Sequence, residues 1–227
     1  GNGRRLLLPA VSGQSTPIDE LTRFNEEGFT IDTDNFQNEN AKDYVAWCWK
    51  AGGRNETTDW GSVKFDGSGD ALTIADHADL EMASETNWTI EFWVKLNATP
   101  SGDWRVIVGK GLSSGNNYEW FFECFTDNTL KFLASDDGTA WPINESFTDA
   151  LTVGTWYHVA VVRNGTGADT LKGYLNGVQK WSITSLNLHT SGGGLGIGAH
   201  NDGGSLALES NTTVSNLRIV KGTSVYT

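Results

Sequence analysis

The sequence predicts an all-β protein, an antiparallel two-sheet β-sandwich of jelly-roll type, and three observations carry that expectation. From Val63 onward apolar and polar side chains alternate with period two in run after run, as half-buried strands require. The runs are short and are separated by Gly, Asn, Asp and Ser, the residues that favour turns. No stretch alternates strands with long amphipathic helices, so parallel βαβ units are not expected.

Taken in order, residues 17–28 read as one short helix. Thr16 would be its N-cap, Pro17 its first helical residue and Gly28 its stop. An extended reading competes, because the apolar spacing covers barely two turns. Residues 29–31 and 44–49 read as strands rich in aromatic and β-branched side chains. Residues 54–62 read as a linker between an upstream β module at 1–53 and a larger domain at 63–227. In that domain, strands at 63–66 and 71–75 flank Gly67-Ser68-Gly69-Asp70 as a hairpin, and 76–82 hints at a helical turn. Ile90, Phe92, Val94 and Leu96 then alternate with Thr89, Glu91, Trp93 and Lys95. Further strands are expected at 105–108, 118–125, 130–133, 156–163, 171–175, 178–183, 195–197 and 214–220. Asn176-Gly177 is a strong two-residue hairpin signal.

Composition narrows the function. The 227 residues carry 28 acidic and 16 basic side chains, a formal charge of −12. Such a balance argues against a reader of nucleic-acid phosphates and against binding anionic lipid surfaces. No apolar run approaches the roughly 20 residues that span a bilayer. Arg4 to Ala10 resembles the start of a signal peptide, but its apolar run is short and Pro9 interrupts it. The single methionine is Met82, and both ends read as cut from a longer chain. Two cysteines cannot make a disulfide framework. Cys48, between Trp47 and Trp49, and Cys124 read as free buried thiols, with a pairing left open. His77, His158, His189 and His200 lack zinc-site spacing, and His158 reads as a core residue.

Several runs resemble a known family. Val63-Lys64-Phe65-Asp66-Gly67-Ser68-Gly69-Asp70-Ala71-Leu72, Thr89-Ile90-Glu91-Phe92-Trp93-Val94, Trp156-Tyr157-His158-Val159-Ala160 and Tyr174-Leu175-Asn176-Gly177 follow the order of the laminin-G-like jelly roll. That jelly roll belongs to the concanavalin A-like lectin/glucanase superfamily. The closing Val214-Ser215-Asn216-Leu217-Arg218-Ile219-Val220-Lys221-Gly222-Thr223, with Val225-Tyr226-Thr227, is similar to versions in virion and tail proteins of marine bacteriophages. Phe24-Asn25-Glu26-Glu27-Gly28-Phe29-Thr30 and Tyr44-Val45-Ala46-Trp47-Cys48-Trp49-Lys50-Ala51-Gly52 resemble a module that often precedes the jelly roll there.

The resemblance implies a non-catalytic virion surface module that recognises host glycans, of tail or fibre type. The alternative it leaves is a capsid-decorating or tail-associated protein that binds other virion proteins, and a glycoside hydrolase is the weaker third. Related glucanases carry Glu-x-Asp-x-Glu on one strand, but here Glu119-Trp120-Phe121-Phe122-Glu123 has Phe121 in the middle. The two glutamates are therefore expected as a solvent-facing pair. A homo-oligomer is expected, because weak sites gain by avidity.

Sugar binding stacks aromatic rings on pyranose faces beside polar partners. Trp104 next to Asp103, Trp141 after Asp136-Asp137-Gly138, and a flexible loop containing His200, Asn201 and Asp202 are the candidates. Most of the ten Trp, including Trp93 and Trp156, are expected in the core. The resemblance also implies calcium at the sandwich rim, which suits carboxylate oxygens. Asp103, Asp127 and Asp202 are the expected ligands, with Asp136-Asp137 and Glu209 as further candidates. If consecutive strands alternate direction, the loops near 103, 127 and 202 share one end and the 136–137 loop lies at the other.

Overall fold

The computed structural model describes residues 61–113, 115 and 117–226 (Thr148 by its backbone only), and the backbone of 21–25 and 28–31. The readings at 44–49 and 54–60, and Cys48, lie outside the described residues. The chain forms two compact units, Gly1–Asn55 and Glu56–Thr227.

In the first unit, β1 (Leu21–Asn25) and β2 (Gly28–Ile31) pair antiparallel with Phe24 opposite Phe29. The expected helix over 17–28 is thus corrected to extended chain at 21–25. A helix of barely two turns leaves most of its backbone groups without internal partners, whereas the β1–β2 ladder pairs them. Gly28 opens a strand instead of capping a helix.

The second unit contains β3 (Ser62–Lys64), β4 (Leu72–Ile74), β5 (Asn87–Leu96), β6 (Trp104–Leu112) and β7 (Asn117–Phe125). There follow β8 (Thr129–Ala134), β9 (Ile143–Ala150), β10 (Trp156–Asn164), β11 (Leu171–Leu175) and β12 (Val178–Ile183). The last are β13 (Leu195–Ile197), β14 (His200–Asp202), β15 (Ser205–Ala207) and β16 (Thr212–Lys221). One six-stranded sheet has the order β12-β11-β10-β5-β16-β3 and the other β4-β13-β6-β7-β8-β9, with β14 and β15 as a separate pair. Every ladder is antiparallel. The expected turn at 76–82 is a short 3-10 helix at Ala78–Leu80.

The expected hairpin across 67–70 does not form. Its two strands belong to different sheets, β3 against β16 and β4 against β13. Phe65 N–H donates to the Thr212 carbonyl at 2.8 Å and Gly69 N–H to the Glu209 carboxylate at 2.7 Å. These bonds hold the turn to the 209–212 segment, so the chain crosses between sheets here. β9, β14 and β15 were not expected. β9 buries only Ile143 and Phe147 among its described side chains, so its sequence lacks a clean alternation. Asn176-Gly177 does form the β11–β12 turn, with φ of 51° and 76°, the positive pair a two-residue hairpin needs.

The core lies between the two large sheets. Phe92 of β5 meets Phe122 of β7 edge-on at 4.9 Å, and Phe122 meets Phe132 of β8 at 4.9 Å. Trp88, Trp120 and Trp181 are buried, but Trp93 is 41% exposed and Trp156 is half-buried. The correction for Trp93 follows from alternation: Phe92 and Val94 point inward, so Trp93 points out. His158, expected in the core, also faces outward, its Nε2 lying 3.2 Å from the Glu91 carboxylate. Glu91 in turn accepts from Arg218 and, at 2.5 Å, from the Tyr226 hydroxyl. Cys124 is a free buried thiol whose pKa is pushed up to about 12 by burial, which makes it a poor nucleophile.

A buried cation sits at one edge of the core. Lys110 is fully buried, and its ammonium donates to Asp76 at 3.0 Å, Glu81 at 2.7 Å and Glu119 at 2.8 Å. Burial alone would lower its pKa, but the bonds to Glu119 and Glu81 hold it above the ordinary lysine value. Lys110→Met should cost roughly 3–5 kcal/mol of stability in denaturant unfolding, because it strands buried carboxylates. The double variant Lys110→Met/Glu119→Leu should regain part of that loss.

Candidate functional site

The site lies on the outward face of the β4-β13-β6-β7-β8-β9 sheet. Trp120, Phe122 and Cys124 of β7 face the core, so Phe121, Glu123 and Phe125 face the other way. Tyr118 would join the core side under strict alternation, but it lies with Phe121 on the outer face. The reason is a bulge. Gly111 pairs with Tyr118 and Lys110 with Trp120, which leaves Glu119 as an extra residue on β7. The bulge shifts the alternation by one position, and Glu119 turns to Lys110. A second irregularity between Val106 and Val108 inserts Ile107 into β6. It keeps Trp104 and Val106 on the outer face while Ile107 and Val108 pack in the core.

These side chains line a groove of about 340 Å³. Trp104 and Phe125 stand at one end, with ring centroids 6.4 Å apart. At the other end Trp141 packs on Tyr118 at 4.8 Å and on Phe121 at 5.6 Å. The His200 ring meets Phe121 edge-on at 4.8 Å, and its Nε2 lies 2.9 Å from the Gly111 carbonyl oxygen. Phe121 can lie flat to the floor because Gly109, directly opposite, has no Cβ. A carbon there would come within 2.1 Å of the ring.

Besides His200 and the Tyr118 hydroxyl, the polar lining is Glu123, Lys131, Asn144 and Ser113 among the apolar walls. Glu123 is 6% exposed. Burial pushes its carboxyl up to about 7, opposed by the charge of Lys131. Lys131 faces Glu123 across the β7–β8 ladder, but its ammonium lies 4.6 Å over the Phe125 ring. Glu119, also pushed up to about 7 by burial, is inside and bonded to Lys110. The expectation of Glu119 and Glu123 as a solvent-facing pair is therefore corrected. Both are buried, and the bulge separates their surroundings.

Of the expected sugar contacts, Trp104 and Trp141 are brought into this one groove. Asp103 is exposed in the loop beside Trp104. Asn201 and Asp202 are strand residues of the β14–β15 pair instead of a flexible loop. Asn201 is buried and its Oδ1 accepts from Gly204 N–H at 3.1 Å. Asp202 accepts from Ser113 N–H at 2.9 Å and from the Ser113 hydroxyl. Their place in the groove is taken by their neighbour His200. The sequence did not point to Tyr118, Phe121, Phe125 or Lys131, and it offered Glu123 only as half of a solvent-facing glutamate pair. The alternation in β7 marks Phe121, Glu123 and Phe125 as a face opposite Trp120 and Phe122, whereas Tyr118 depends on the bulge.

The three expected calcium ligands are not brought together at one place. Asp103 precedes the first residue of β6, whereas Asp202 is bonded to Ser113 just beyond its last. Nine strand residues separate those ends by roughly 25 Å. Asp127 shares the Asp103 end, since Phe125 pairs with Trp104. The 136–137 loop joins Asp202 at the other end, because Tyr118 N–H donates to the Gly138 carbonyl at 3.1 Å. The parity expectation thus placed Asp202 at the wrong end, as the irregular β13–β15 region breaks simple alternation. Asp127 and Asp137 accept from backbone N–H groups of their own turns, and Glu209 accepts from Gly69. Among the described residues no group of three or more His, Cys, Asp and Glu side chains is arranged to hold a metal ion. Among the same residues no helix is long and apolar enough to cross a membrane.

Comparison with known proteins bears on the same region. Residues 66–222 fit a family model described as the concanavalin A-like lectin/glucanases superfamily. Residues 5–121 fit a second, described as a domain of unknown function (DUF7483). No curated protein matches the chain. Among solved structures, a sialidase of Trypanosoma rangeli is 13% identical with a TM-score of 0.53, over 73% of this chain and 26% of that one. A heptameric SAP-like pentraxin from Limulus polyphemus is 17% identical with a TM-score of 0.52, over 70% and 74%. Domains LG4-5 of the mouse laminin alpha1 chain are 14% identical with a TM-score of 0.52, over 73% and 43%. The chain thus spans about a quarter of the sialidase and under half of the laminin fragment. At these identities the likeness is one of fold.

The raised Glu123 value has a consequence for stability. The folded chain holds a proton that the unfolded chain releases above about 4.5. Its contribution is complete below that pH and is lost as pH rises through about 7. Glu123→Gln should therefore melt a few degrees higher than the parent at pH 8, with the difference closing near pH 4.5 in thermal scans.

Proposed function

The chain belongs to the concanavalin A-like lectin/glucanases superfamily over residues 66–222 and to the DUF7483 family over residues 5–121, and from this membership and the groove we propose that the 56–227 unit is a non-catalytic glycan-binding module. The observation that carries the proposal is the convergence of Trp104 and Trp141 on one aromatic-floored groove with few polar groups. That is the build of a small-molecule site, with flat apolar walls for stacking and isolated polar groups for orientation. Sharing the fold with a sialidase and with laminin LG domains is in keeping with it.

The non-catalytic reading rests on the carboxylates. Most glycoside hydrolases use two of them across the scissile bond. Glu123 lines the groove, whereas Glu119 is held inside by Lys110. We place the module on a virion surface, facing host glycans, from the resemblance of the Val214–Thr223 run and of the residues upstream of the jelly roll. Assembly into a homo-oligomer would add avidity to weak individual sites.

A polysaccharide array probed with the chain tests the reading. Binding should be seen, and Trp104→Ala or Trp141→Ala should each weaken it at least tenfold, about 1.4 kcal/mol, with unfolding still cooperative. An array without binding, beside firm retention on purified virion proteins, would turn the assignment to a structural role.

A further inference from the structure

Glu123 is chemically out of place in its surroundings. It opens into the groove and is 6% exposed, yet no described residue places a hydrogen bond or ion pair on its carboxylate. A buried carboxylate without a partner is costly to keep. Among the described residues the cation that acts on it, Lys131, is turned onto the Phe125 ring. The fold therefore keeps a carboxyl group here, about half ionised near pH 7 and charged above it, that nothing in the described chain uses.

The groove walls narrow what such a group would bind. The faces of Trp104, Phe121, Phe125 and Trp141 carry negative quadrupole charge, which attracts cations as the carboxylate does. Lys131 illustrates this preference within the chain itself. A ligand carboxylate or sulfate would be repelled by Glu123, and a hydroxyl would satisfy it without gaining from the ring faces as a cation does. The formal charge of −12 also draws cations toward the chain.

We propose that the groove recognises a cationic amino group and, resting on the glycan reading above, that its ligand is a glycan containing hexosamine with the amine free and not acylated. The ammonium docks on Glu123 while its pyranose ring lies against the aromatic walls. An N-acetylated sugar keeps an N–H donor but loses the charge, so the discrimination is electrostatic.

Isothermal titration of the intact chain with β-1,4-linked tetramers of glucosamine, N-acetylglucosamine and glucose tests this. The glucosamine tetramer should bind at least tenfold more tightly than either of the others. Glu123→Gln should bring the three within about threefold of one another, and Lys131→Met should strengthen binding of the glucosamine tetramer by removing a competing cation. Equal affinities for the three, an amine preference that survives Glu123→Gln, or weaker glucosamine binding by Lys131→Met would each overturn the proposal. If no tetramer binds while the polysaccharide array shows other glycans bound, the amine assignment falls and the glycan reading stands. If neither tetramers nor array show binding, both fall together.

Discussion

The groove depends on a buried ammonium. Lys110 gathers Asp76, Glu81 and Glu119 at distances of 2.7–3.0 Å, and it also lies 3.4 Å from the Ser191 carbonyl. Three separate segments, the 76–81 turn, β7 and the stretch at Ser191, converge on that one nitrogen. Because Glu119 is the extra residue of the β7 bulge, the same ion cluster that closes the core edge also holds the bulge. The bulge in turn brings Tyr118 to the outer face beside Trp141. Without it, strict alternation would turn Tyr118 inward, and the groove would lose one of its two aromatic ends. The cluster is expensive, since burial raises Glu119 even with Lys110 beside it. Specifying the register of β6 against β7 is what that cost sustains.

The acidity of the chain has a plainer use than metal binding. Asp66, Asp127 and Asp137 each accept a hydrogen bond from a backbone N–H two residues ahead. These Asx turns substitute a side-chain oxygen for a backbone carbonyl. In Asp137 the bonds from Thr139 and Ala140 hold the carboxyl well below the usual range. A sandwich with many tight connections needs many such turns.

The sheet architecture was legible because period-two patterning and turn residues act locally. The 89–96 strand and the Asn176-Gly177 turn were readable from adjacent positions alone. Trp104 and Trp141, which line one groove, were readable as surface-lying rings because each follows a turn signal near a strand boundary. What was not legible depends on partners far along the chain. The 67–70 turn belongs to Asn211 and its neighbours, not to the strand that follows. Asp202 is spoken for by Ser113, 89 positions earlier. Glu119 is buried because Lys110 lies across the ladder, and period alone does not announce an inserted residue. Strand β9 hid for a different reason: an edge position tolerates polar side chains on most of its length, so little hydrophobic signal remains.

Two glycines, each facing a large ring, show how shape is stored in this fold. Gly173 makes space for Trp181 inside the sandwich, and Gly109 makes space for Phe121 on the groove floor. The first contact is confined by two sheets; the second borders solvent. Enlargement at 173 would strain the interior between the sheets, whereas enlargement at 109 would displace Phe121 and the Tyr118, Trp141 and His200 rings packed on it, all on the outer face. The depth of the groove is thus decoupled from the integrity of the sandwich. A lineage carrying this scaffold would be free to remould the recognition surface, one methyl at a time, while the body beneath it stays unchanged.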